Sequence, residues 1–126
     1  IVHGEPTTEP VAPGTNAAAC GCADVDVLAH PGLISAADAR LARENQVALE
    51  ITARGGHNRT NGHVACMARV EECLLVVDSD THAPSDLMGM QERVQVARGA
   101  GLTERESAAI LSGENLPLLS KKPEKP

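Results

Sequence analysis

Four short apolar runs limit what this chain can fold into. Ile1-Val2-His3, Val25–Ala29, Val47–Thr52 and Leu74–Asp78 are each of strand length and rich in β-branched residues. Helical signals fill the gaps between them. Asn16–Cys20 reads as a short helical turn closed near Gly21. Ser35-Ala36-Ala37-Asp38 reads as a capping box for a helix to about Glu44, with Asn45 as a left-handed stop. Asn61 is placed to cap a helix from Gly62 to about Cys73. Pro84 suits the first turn of a helix from Ser85 to about Arg98, stopped by Gly99 and Gly101. Thr103-Glu104-Arg105-Glu106 is a capping box for a last helix to about Leu111. Strands that alternate with helices pair in parallel, because each strand reaches its neighbour through a helical crossover. The expected fold is therefore α/β, with about four parallel strands: half a barrel or a small open sheet.

In such folds the chemistry collects at the carboxyl ends of the strands. Here those ends carry His3, His30, the polar loop Arg54–His63, and Asp78-Ser79-Asp80-Thr81-His82. Pro31 is expected to hold His30 extended. Alternation along an extended chain lets Asp80 and His82 project from one face. A carboxylate and an imidazole at a strand mouth suit a divalent metal. The plainer reading makes Asp80 a helix cap and His82 a surface residue. Glu50 lies mid-strand between Leu49 and Ile51, where a carboxylate is costly unless it is paired or metal-bound.

Composition excludes several functions. The chain has 126 residues, a net charge of −6 and no Phe, Tyr or Trp. It offers no stacking platform for bases and no general electrostatic footprint for DNA. Its core must be built from Leu, Val, Ile, Ala and Met, with Met67, Met88 and Met90 as filling. Cys20-x-Cys22 lacks zinc-knuckle spacing, so the cysteines read as buried free thiols of a cytoplasmic protein. No membrane span or signal peptide is visible. Ile1 is not an initiating Met, and Ile1-Val2-His3 reads as the end of a strand, so further sequence is expected ahead of it. Leu116–Leu119 reads as a short turn, and Lys121–Pro126 as a disordered, charged tail.

Several stretches together resemble the polymerase-and-histidinol-phosphatase (PHP) superfamily, in particular its histidinol-phosphatase-like members. They are Val2-His3-Gly4-Glu5, Glu9–Asn16, Leu28-Ala29-His30-Pro31-Gly32, Leu49-Glu50-Ile51, Gly56-His57 with Thr60–Val64, and Asp78–His82. The resemblance covers the chain to about residue 90. It implies that residues 1–120 are the C-terminal portion of a distorted (β/α)7 TIM-like barrel, which holds up to three divalent ions of zinc, manganese or iron. It also implies His3, His30, Asp80 and His82 as metal ligands, with Asp80 and His82 in the catalytic machinery. The His-x-His motif that opens the family's barrels is absent. A missing N-terminal half or a second chain is therefore expected as partner, and a homo-oligomer is an alternative.

Arg54, His57 and His63 are the candidates for holding substrate phosphate, since a glycine-rich loop with Arg suits an anion. His63 reads equally as a helix-cap residue and Arg59 as solvated. Glu50 is open between orienting a ligand histidine and pairing with an internal Arg. Asp78 is left open. The implied activity is metal-dependent hydrolysis of a small phosphorylated metabolite. The alternatives are a nucleotide or nucleic-acid phosphodiesterase, and a non-catalytic metal-binding half-domain.

Overall fold

The computed structural model describes residues 1–113. The tail and the Leu116–Leu119 turn lie outside the described residues. Four strands, β1 (Val2–His3), β2 (Val27–Ala29), β3 (Ala48–Thr52) and β4 (Leu75–Asp78), form one parallel sheet in sequential order. Between and after them come helices α1 (Thr15–Cys20), α2 (Ala36–Glu44), α3 (Asn61–Glu71), α4 (Met90–Gly99) and α5 (Glu104–Leu111). The expected α/β alternation is present.

Register divides the sheet into two faces. Val2 pairs with Leu28, Leu28 with Leu49, Leu49 with Leu75, and Ile51 with Val77. These residues pack in one cluster with Ala39, Ala42, Ala65, Ala68 and Ala97 of the helices. Small helical residues let the helices approach closely, which is how a core without aromatic rings is filled. The opposite face has its own register. His3 pairs with Ala29, Val27 with Ala48, Glu50 with Val76, and Thr52 with Asp78. All the strand-borne titratable groups therefore share the face turned away from the helical core.

The caps follow the sequence in two places. Ser35 accepts from the Asp38 N–H, and Thr103 and Glu106 bond reciprocally at the start of α5. Elsewhere they differ. Asn45 is not the left-handed residue after α2; Gln46 is, at φ +57. Asn61 does not cap α3 through its side chain. Its amide instead donates to the Thr52 carbonyl and accepts from the Thr52 N–H, pinning the end of β3. The single helix expected from Ser85 to Arg98 is two elements. Pro84–Asp86 is a 3-10 turn, and Leu87 and Gly89 are extended before α4 begins. Glu92 draws the Gly89 N–H and so fixes the later start.

That break also turns apolar residues outward. Leu87, Met90 and Val94 are exposed, so Met90 is not core filling, whereas Met67 and Met88 pack against the core. All four cysteines are free, but only Cys20 is buried; Cys22 and Cys73 are half-buried and Cys66 is exposed. Burial pushes the Cys20 thiol up to about 12 and the Cys73 thiol up to about 11, which makes them poor nucleophiles and poor metal ligands at neutral pH. No described helix is long and apolar enough to cross a membrane.

Candidate metal centre

The centre of the site is His30, 1% exposed, at the carboxyl end of β2. Its backbone is not extended as Pro31 led us to expect; φ is +33. Glu50 accounts for the difference. The Glu50 Oε2 atom accepts from both the His30 backbone N–H and the ring Nδ1–H, the latter at 3.1 Å. One carboxylate oxygen thus grips the residue at two points, and the backbone turns to meet it. With Nδ1 occupied, Nε2 is the ring atom left to face the site. A carboxylate behind a histidine fixes its tautomer and raises its basicity, as in carboxylate–histidine–metal arrangements.

Three neighbours surround that ring. His3 Nδ1 lies 2.8 Å from His30 Nε2, within hydrogen-bond distance. The His57 ring stacks on His30, with centroids 4.3 Å apart and planes 10° from parallel. His57 Nδ1 is held by the Thr8 hydroxyl at 2.8 Å, and its Nε2 is 3.6 Å from Glu9 Oε1. One ligand atom from each of Glu9, His30 and His57 lies within 4.8 Å of the others, so this triad is able to hold a metal ion.

The electrostatics agree with that use. Burial disfavours the charged form of His30, but the hydrogen bond and charge of Glu50, with Asp80 and Glu9, outweigh it and raise its pKa. His57 is lowered, first by burial and then by the charge of His30. It therefore tends to stay neutral, the form that ligates metal. Burial also opposes ionisation of Glu50, yet its bonds to His30, with Asp78 and Thr52 beside it, hold it low. Asp78 is driven the other way, first by burial and then by the Glu50 carboxylate. Of the two acids, Asp78 is thus the harder to ionise. Among the described residues, Glu50 Oε1 is buried without a partner in hydrogen-bond geometry, although Asp78 and Thr52 lie beside it.

The remaining candidates take up different positions. Asp80 sits beyond the end of β4 with φ +48, so strand alternation does not govern Asp80 and His82. The Asp80 charge is near enough to favour the protonated forms of both His30 and His57. Its carboxylate is 3.9 Å from Arg54, which also approaches Asp86 at 3.6 Å. His82 is exposed, and its Nδ1 donates to the Asp80 carbonyl at 2.6 Å. His63 is turned elsewhere and donates Nε2–H to the Ile34 carbonyl at 2.8 Å. The structure therefore gathers His3, His30 and His57, places Asp80 near enough to act on His30 and His57 by charge, and leaves His63 apart.

Glu9 was not singled out as a ligand, because an exposed acid in a Pro-rich loop carries no periodicity to flag it. A cleft of about 660 Å³ opens beside Arg54, lined also by Ser79, Ser85, Met88, Glu92 and Gln95.

No family profile matches the chain, and no solved structure matches it. The chain is 47% identical over 106 residues to an uncharacterized protein of Methanocaldococcus jannaschii, a match covering 84% of this chain and 49% of the relative. The chain thus spans about half the length of the curated relative it matches.

Proposed function

We propose that this chain is the C-terminal portion of a PHP-type (β/α)7 barrel, and that its strand-end cluster binds divalent metal for hydrolysis of a small phosphorylated metabolite. One observation carries the reading. His3, His30, His57 and Glu9 converge at the carboxyl ends of β1–β3, and His30 is backed by a buried Glu50. The donor set fits the group. Imidazole and carboxylate ligands suit zinc, manganese and iron. The hydrogen bond between His3 and His30 is of the kind that a metal replaces when ligands deprotonate on binding. His3, His30 and Asp80, joined by Glu9 and His57, would hold the metal. Bound there, it would polarise a phosphoryl oxygen and lower the pKa of a water.

The chain's own residues supply the rest. Arg54, held between Asp80 and Asp86, presents a guanidinium to a phosphate at the cleft. His82 has Nδ1 committed to the Asp80 carbonyl, so its Nε2 is free to take a proton. The side chain of the substrate would lie in the cleft beside Arg54. Metal binding without turnover is the second reading, for which the Glu9, His30 and His57 donor set suffices by itself.

The test is elemental analysis of the wild type beside His30→Ala and Asp80→Ala, with hydrolysis of a phosphomonoester assayed on the same samples. Zinc, manganese or iron that falls in both variants, together with wild-type turnover, supports the phosphoesterase. Metal without turnover supports the second reading. A folded wild type with no stoichiometric metal rejects both.

A further inference from the structure

The stretch Glu9–Asn16 ends in a residue that the metal site itself does not use. Asn16 is 4% exposed, at the start of α1. Its Oδ1 accepts from the Glu5 N–H at 3.0 Å, and its own N–H donates to Glu5 Oε2 at 2.9 Å. Its Nδ2 donates to the Pro31 carbonyl at 2.8 Å. One buried amide therefore ties the residue two positions after His3 to the residue immediately after His30.

The backbones it joins are in direct contact. The Gly4 N–H bonds to the Ala29 carbonyl at 2.8 Å. A Cβ on Gly4 would lie 2.7 Å from Asn16 Oδ1, and one on Gly32 would lie 2.0 Å from the Glu5 carbonyl oxygen. These two strands are otherwise paired over only two residues, Val2 with Leu28 and His3 with Ala29. So short a ladder does not fix how the segments beyond it lie. The 2.8 Å separation of the two ring nitrogens depends on where those segments are held.

We infer that Asn16 is a positioning residue of the metal centre: by bridging Glu5 and Pro31 it sets the relative placement of His3 and His30. The inference rests on the metal-binding reading above and adds a residue that touches neither metal nor substrate. Asn16→Ala removes the bridge. Asn16→Asp keeps the volume and the acceptor for Glu5 but loses the donor to Pro31, and serves if the alanine variant does not fold.

The experiment is cobalt(II) titration followed by visible absorption, on wild type, both Asn16 variants, His30→Ala and Thr103→Ala. Thr103→Ala removes the cap of α5 and serves as a control for lost stability alone. The Asn16 variants are expected to bind cobalt roughly 10–100-fold more weakly, as when groups orienting metal ligands are lost. Their absorption bands at saturation should change shape. Thr103→Ala should melt earlier, with wild-type affinity and bands.

Asn16 variants with wild-type affinity and bands, beside a His30→Ala that no longer binds, would overturn the inference and leave the metal reading standing. A wild type that binds no cobalt overturns both.

Discussion

Glu50→Gln separates the two jobs that a buried carboxylate can have. The shape is kept and the charge is lost. In the wild type, Glu50 Oε2 takes two hydrogen bonds from His30. A bond to a charged group contributes about 1.5–3 kcal/mol and a neutral one about 0.5–1.5, so two of them lose roughly 2–3 kcal/mol together. Against this, the substitution ends the burial of a carboxylate that is 1% exposed and relieves the Asp78 carboxyl beside it. A glutamine amide is also able to donate toward Asp78 from the Oε1 position, which lacks a hydrogen-bond partner. Stability of the metal-free chain should therefore move by no more than about 1 kcal/mol, a few degrees in Tm.

Metal affinity should move further. Losing the carboxylate behind a ligand histidine costs about 10–100-fold, or roughly 1.4–2.7 kcal/mol. The pH dependence has a definite sign. His30 is raised in the wild type, so protons compete with metal up to a higher pH there than in the variant. The affinity gap should be widest above the raised His30 pKa and narrow in acid. Zinc competition against a chromophoric chelator, with thermal melts of the metal-free samples, measures both quantities. A variant with unchanged affinity and a collapsed Tm would refute the reasoning and make Glu50 a structural residue only.

Three further outcomes are expected. Asp78 is raised in the folded chain, so its proton-linked stability is complete below the ordinary carboxylate range and is lost as pH rises through the native value. Asp78→Asn should therefore raise Tm more at about pH 9 than at about pH 5, and a gain that is equal at both, followed by circular dichroism, would contradict the assignment. Gly32→Ala places a Cβ against the Glu5 carbonyl oxygen at φ +63, so soluble yield and cobalt binding should both fall, and wild-type values for both would show that the two segments separate freely. The outer edges of β1 and β4 have no strand partner among the described residues, and Leu87, Met90 and Val94 are exposed. The isolated chain should therefore self-associate, which a monodisperse monomer in light scattering would disprove.

The fold was legible where one face of an element meets the core. Alternation in Leu49-Glu50-Ile51 places two large apolar residues on the helical side and the acid opposite, and the register bears this out. Capping was legible where the partner is three residues away, as at Thr103 and Glu106. It failed at Asn61, whose side chain is used by the backbone of Thr52, nine residues earlier. The helix expected after Pro84 is too long because apolar spacing at Leu87, Met88 and Val94 imitates a helical face, although two of the three are exposed.

The site divides along the same line. His3 lies on a strand end, where sequence position predicts direction, and His30 directly follows one. Glu9 and His57 come from two loops that meet through the Thr8–His57 bond, across 49 residues of chain. Nothing local announces such a meeting. The left-handed backbone at His30 is illegible for a related reason: local sterics before Pro31 favour an extended residue, and a carboxylate twenty positions later overrides them. The departures at Asn61 and His30, and the meeting of loops at His57, thus share one cause. In each, a polar side chain is engaged by a distant segment, and these distant bonds gather the carboxyl ends of the strands into one place. A substitution that breaks one of them should disturb metal binding more than its local propensity predicts.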